Sequence, residues 1–145
     1  MRKHLISCIL LFLVFMHTSL ALLEDWHYRR PITINNTLNS NNLTDYQILI
    51  TLDTASLISA GKLRSDCGDI RFTDSDGTTL LNYWIWTNIT NYTGLSYSWG
   101  IFGCNSPNTR ITVKVPFIPA GSTKTIYVYY GNPQATSLSN ILGIF

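Results

Sequence analysis

The sequence of 145 residues predicts an all-β fold, a two-sheet antiparallel β-sandwich, and three observations predict it. Apolar and polar residues alternate in short runs, the mark of strands with one face turned inward. Clusters of Asn, Asp, Gly and Pro interrupt those runs at regular spacing. No long run of helical period follows the first 21 residues. About seven strands would suit a jelly-roll or an immunoglobulin-like order, and the sequence does not choose between them.

The first residues read as a removable leader. Arg2, Lys3 and His4 form a basic head, an apolar run spans 5–16, and Ser19-Leu20-Ala21 supplies a small-residue cleavage site. The chain therefore divides into a signal peptide, 1–21, and a single β-sandwich domain, 22–145, exported to the cell surface or beyond. The alternative is an uncleaved membrane anchor, against which the run falls short of the roughly 20 residues a spanning helix needs. Leu5-Ile6-Ser7-Cys8 imitates a lipoprotein site, but Cys8 lies inside the apolar run.

The first strand is expected over 26–34, with Trp26, Tyr28, Ile32 and Ile34 on one face and Arg30 intruding on it. Pro31 has no N–H to donate, so this strand belongs at a sheet edge or carries a bulge. Residues 35–42 are turn formers and read as a solvent loop. Tyr46, Ile48, Ile50 and Leu52 alternate inward along a second strand, and 54–62 forms one or two helical turns ended by Gly61. Ile70 and Phe72 mark a short strand, from which Asp74-Ser75-Asp76-Gly77 turns into a hairpin partner over 79–86.

After a polar loop at 88–94, the aromatic stretch 95–102 is either an extra strand or an irregular excursion. Ile111, Val113 and Val115 share the face of one further strand, and Ile126, Val128 and Tyr130 that of another. Pro116, Pro119 and Gly121 punctuate their link, and Gly131-Asn132-Pro133 ends the last.

These runs resemble the domain of unknown function 2341 family of secreted archaeal and bacterial surface proteins. The resemblance rests on Trp26-His27-Tyr28-Arg29-Arg30-Pro31-Ile32, Leu43-Thr44-Asp45-Tyr46-Gln47-Ile48-Leu49-Ile50, Ser65-Asp66-Cys67-Gly68-Asp69-Ile70-Arg71-Phe72, Tyr83-Trp84-Ile85, Val113-Lys114-Val115-Pro116 and Ile126-Tyr127-Val128-Tyr129-Tyr130-Gly131-Asn132-Pro133. It implies a β-sandwich set ahead of a lectin-like domain of the laminin-G or concanavalin type, and it brings no catalytic residues with it. Two departures stand out: Trp86 where an acidic residue is expected, and an apparent insertion over 88–103. Relatives continue past the position of Phe145, so the chain reads as a fragment or as a solitary module.

Charge and composition narrow the function classes. Without Arg2 and Lys3, eight basic residues face eight acidic ones, and they are scattered rather than clustered, which sets nucleic acid aside. Cys67 and Cys104 remain after cleavage, and an even pair outside the cell favours a disulfide over two buried thiols. The single remaining histidine, His27, stands beside arginines and not beside a serine elbow, so neither a nucleophile–base pair nor a zinc site is indicated. No cofactor is implied.

Four acceptor sequons place candidate glycosylation at Asn35, Asn42, Asn88 and Asn91. Asp66, Asp69, Asp74 and Asp76 are weak calcium candidates: the EF-hand spacing is absent, and turn formation or pairing with Arg64 and Arg71 explains them as well. Trp84, Trp86, Tyr92, Tyr97 and Trp99 offer flat rings on which a sugar can stack, against core packing as the ordinary explanation. Tyr83 and Ile85 occupy the opposite face of that strand, so one face is expected to be covered. The functional expectation is a non-enzymatic surface module for adhesion or assembly, partnered by other surface proteins, copies of itself or an adjacent lectin-like domain. The alternatives are a carbohydrate-binding module and, without positive support, a paired-carboxylate hydrolase.

Overall fold

The computed structural model describes residues 23–86 and 103–145, together with the backbone of two short strands between them. In chain order these are β1 (Tyr28–Asn35), β2 (Leu43–Leu52), helix α1 (Thr54–Ser59), β3 (Arg71–Thr73), β4 (Tyr83–Ile85), the short β5 (Ile89–Thr90) and β6 (Ser96–Tyr97), β7 (Thr109–Ile118) and β8 (Thr123–Tyr130). A 3-10 turn at Ile141–Gly143 follows. The leader, Asn88, Asn91, Tyr92 and Trp99 lie outside the described residues, and Tyr97 is described only as a pairing partner of Ile89.

Two antiparallel three-stranded sheets, β1-β8-β3 and β2-β7-β4, pack face to face. Phe72, Ile126 and Val128 from the first meet Tyr83, Ile85, Ile111 and Val113 from the second in one apolar cluster. The rings of Phe72 and Tyr83 touch across the interface at 5.4 Å. The alternation read from the sequence is the reason: each of these residues is flanked by neighbours that point away from the core.

Connectivity was left open by the sequence, and here it is nested. β1 pairs with β8, and β2 with β7, so the opening and closing ribbons of the chain wrap on each other in jelly-roll-like fashion. The chain also changes sheet between β1 and β2, between β2 and β3, between β3 and β4, and between β7 and β8.

That crossing corrects the expected hairpin. The turn at 74–77 closes as predicted, with the Asp74 N–H donating to the Thr79 carbonyl and Gly77 at φ +73°. Beyond a single bridge between Thr73 and Leu80, however, the strands part, β3 to β8 and β4 to β7. The physical reason is that Phe72 and Tyr83 both seek the core, and two short strands bury them better as facing layers than as neighbours in one sheet.

Local signals held elsewhere. Asp53, which was not singled out from the sequence, caps α1 by accepting the Ser56 N–H at 2.9 Å. The helix ends in a Schellman pattern, Lys62 N–H to the Leu57 carbonyl and Gly61 N–H to the Ile58 carbonyl, with Gly61 at φ +66°. β1 is an edge strand, as Pro31 requires. The Asn36 N–H donates to Ser122 across the ladder, so by alternation Pro31 turns its missing donor to the free edge. The register puts Tyr46 opposite the buried Val115, yet on edge strand β2 it stays 49% exposed. Its face is the expected inward one, and its exposure comes from its place on the sheet edge.

Cys67 and Cys104 form a disulfide with their Cα atoms 5.9 Å apart. It ties the loop ahead of β3 to the segment ahead of β7, one from each sheet's approach. That second segment is further held to α1, where Thr54 and Thr109 share a 2.6 Å hydroxyl contact and the Thr54 N–H reaches Ser106. Replacing both cysteines by serine is expected to lower unfolding free energy by on the order of 4 kcal/mol, read by urea titration of oxidised wild type against the variant.

Candidate functional site

Strand β4 sorts its side chains to two faces. Tyr83 and Ile85 are buried, whereas Trp84 and Trp86, one on the strand and one just past it, stand half-buried on the opposite side. Their indoles stack, 5.6 Å between centroids and 22° between planes. The neighbouring strands complete this outer face: Trp84 lies opposite Thr112, and Thr112 opposite Leu49. Trp86 donates its Nε1–H to the Thr112 hydroxyl at 3.0 Å, and the Arg110 guanidinium stands 5.4 Å from its ring.

The C-terminal tail borders this surface. Asn140 N–H donates to the Tyr83 carbonyl, and Ile85 N–H donates to Ser139 Oγ, so the tail satisfies the outer edge of β4. It then crosses the outer face, where Ile144 is fully buried and its carbonyl accepts from Gln47 Nε2 at 2.8 Å. Arg110, Thr112 and this tail were not singled out from the sequence. The first two had a usable signal, since they are the polar alternates of the Ile111 and Val113 run. The tail had none, because its contacts depend on where β4 lies.

The aspartates are not gathered into one site. Asp66 takes a two-pronged contact from Arg64, at 3.0 and 2.9 Å, and the Gly68 N–H. Those bonds, the arginine's foremost, hold its carboxyl well below the usual range. Asp74 pairs with Lys124 at 2.6 Å. Burial would push its pKa up, but the lysine and the Ser75 N–H outweigh it, and the net shift is downward. Asp76 accepts from the Thr79 hydroxyl and the Thr78 and Thr79 amides, which lower it to about 2. Among the described residues no group of three such side chains is placed to hold a metal.

Asp69 is a different case, only 1% exposed. Its oxygens accept backbone N–H groups from Arg64, Gly131 and Asn132 at 3.1, 2.8 and 3.2 Å, and its own carbonyl accepts the Trp26 indole at 2.6 Å. Arg71 does not pair with it, contrary to the expectation. Instead, buried Arg71 donates to the carbonyls of Gly68, Ile70 and Thr136 and lies 5.1 Å from the Trp26 ring. Beside this knot a cleft of about 400 Å³ is lined by His27, Tyr28, Lys62, Leu63, Gly131 and Pro133. His27 Nδ1 is 2.6 Å from the Gly131 carbonyl.

Of the sequons, Asn35 and Asn42 are exposed. The Asn35 side-chain oxygen accepts both the N–H and the hydroxyl of Thr37, at 3.0 and 2.7 Å. Asn42 accepts the Ala120 N–H.

A family model described as a domain of unknown function, DUF2341, matches residues 66–99 and 90–145. The chain belongs to this family. The matched part of this DUF2341 domain holds Asp69, Arg71, Trp84 and Trp86 together with β7, β8 and the tail, while Trp26, Arg64 and β2 lie outside it. Neither a curated protein nor a solved structure matches the chain.

Two outcomes follow for this DUF2341 chain. Asp69→Ala strands three N–H groups, one buried and two part-buried, and is expected to cost about 3 kcal/mol by urea denaturation. Because Asp66, Asp74 and Asp76 all have depressed native values, the stability they confer is complete above their ordinary 3.8 and is lost as they protonate. Urea midpoints should therefore fall steadily from about pH 4 to about pH 2, and Asp76→Asn should flatten that slope.

Proposed function

We propose that this protein is an exported, non-enzymatic β-sandwich module for adhesion or assembly at the cell surface, and that the outer face of the β2-β7-β4 sheet is its binding surface. The observation that carries this reading is the stacked Trp84–Trp86 pair, turned away from a core that has other aromatic residues to fill it. A folded domain has little reason to set two large rings outside its core unless something covers them. The Cys67–Cys104 bridge supports an oxidising compartment, in keeping with the leader at 1–21.

A carbohydrate is the ligand that the same pair favours. Flat indoles suit the C–H faces of sugar rings, and the Thr112 hydroxyl and Arg110 guanidinium border them with polar groups. The reading also counts Tyr92, Tyr97 and Trp99 among the sugar-stacking candidates. The exposed Asn35 and Asn42, with Asn88 and Asn91, are positions where the protein's own glycans would be attached.

A glycan array probed with the disulfide-bonded protein tests the sugar reading. At least one glycan should bind, and Trp84→Ala or Trp86→Ala should weaken it about tenfold, the equivalent of ~1.4 kcal/mol. A blank array, or binding indifferent to both substitutions, eliminates the carbohydrate. If the protein is also a strict monomer at high concentration, the adhesion and assembly reading falls with it.

A further inference from the structure

The sandwich is closed along one side and open along the other. On the β3–β4 side, the 74–79 turn, the Thr73–Leu80 bridge and the bonds from Ser139 and Asn140 occupy the edges. On the β1–β2 side, an opening of about 270 Å³ between the sheets is lined by Ile32, Ile50, Leu52, Phe72 and Val128.

The two strands on the open side are unequally guarded. Along β1 the outward-pointing positions are Arg29, Pro31, Thr33 and Asn35, so the row of donors is broken at proline and flanked by arginines, both of which discourage strand addition. Along β2 the outward positions follow from the central strand. Lys114 N–H donates to Asn82, and the Arg110 carbonyl accepts from Trp86, so the even residues of β7 face β4 and the odd ones face β2. The register then turns Tyr46, Ile48 and Ile50 toward β7 and leaves Gln47, Leu49 and Thr51 with their N–H and C=O groups on the free edge.

No described residue bonds to the backbone of that row, and it contains neither proline nor charge. Leu49 at its centre is 55% exposed. The nearest charge, Asp45, is next in the same outward alternation inside β2, and at φ +47° its backbone leaves the extended geometry there.

We infer that β2 is a self-association edge, and that a second copy of this chain pairs with it antiparallel about a two-fold axis at Leu49. This names the partner for the assembly side of the proposed function, although the pairing stands on backbone geometry alone. The row is self-complementary: Leu49 meets Leu49 of the second copy, Gln47 meets Thr51, and every outward N–H between them finds a carbonyl. Half-buried Ile48 and Ile50 cover each other on the inner side. The product is one six-stranded sheet, β4-β7-β2 followed by its mirror order. It carries a tryptophan pair near each end, with the two β4 strands roughly 24 Å apart at about 4.8 Å per strand. A ligand with repeating units would engage both pairs at once.

Sedimentation of the disulfide-bonded protein should show a reversible dimer. Leu49→Lys should shift its dissociation constant upward on the order of tenfold, because the like charges meet at the axis. Oxidation should trap Leu49→Cys as a covalent dimer, since a directly opposed pair sits about 5.5 Å apart at Cα, within disulfide reach. Thr33→Cys on β1 should dimerise reversibly but should not be trapped covalently. Amide exchange at Gln47, Leu49 and Thr51 should slow as concentration rises. Exchange that is fast at every concentration, or a dimer untouched by Leu49→Lys, overturns the inference. Dimerisation retained by Trp84→Ala, whether or not a glycan binds, separates that failure from failure of the tryptophan face.

Discussion

The buried carboxylate of Asp69 is the point on which the architecture closes. The nested topology brings three distant segments to one end of the sandwich: the residues before β1, the loop from α1 to β3, and the turn after β8. None of them has a ladder partner there. Asp69 collects backbone N–H groups from the second and third, and its carbonyl holds the first through Trp26. A buried carboxylate needs donors around it, and three oriented amides supply them. Arg71, two residues on, works in the complementary sense by taking carbonyls and fixing the tail at Thr136. Gly131 belongs to the same constraint: at φ +94°, a Cβ there would lie 2.6 Å from the Tyr28 ring.

Fixing the tail at Thr136 also shapes the opposite sheet. From that anchor the chain runs along β4, fills its outer hydrogen-bonding edge and sets Ile144 against the outer face. The tryptophan face is thereby bounded on the β4 side, while β2 remains open. One end of the molecule thus decides which edge of the second sheet can receive another strand, and the aromatic pair and the free edge share one continuous surface.

Much of the fold was legible because strands write their sidedness locally. Pro31 marked an edge, Gly61 ended a helix, and Tyr83 with Ile85 opposed Trp84 with Trp86, each a consequence of backbone geometry within a few residues. The hairpin between β3 and β4 was misread for the same reason, since a turn signal reports that the chain reverses and not which sheet receives the return. The aspartates illustrate the limit further. Four carboxylates within eleven residues invite a shared ligand, yet each found its own donors, Asp66 from a nearby arginine and Asp69 from amides over sixty residues away.

By itself the sequence determined the all-β class, the alternating faces of the strands, the Gly61 end of the helix and the turns, the even pair of cysteines, and the placing of Trp84 and Trp86 opposite Tyr83 and Ile85. All of these are set by short-range periodicity and by the chemistry of single residues. The tertiary structure alone decided the nested strand order, the amide partners of Asp69, the docking of the tail on β4, and the contrast between a guarded β1 and an open β2. Those depend on which distant segments meet, and alternation, having a period of only two residues, carries no information about a partner a hundred positions away.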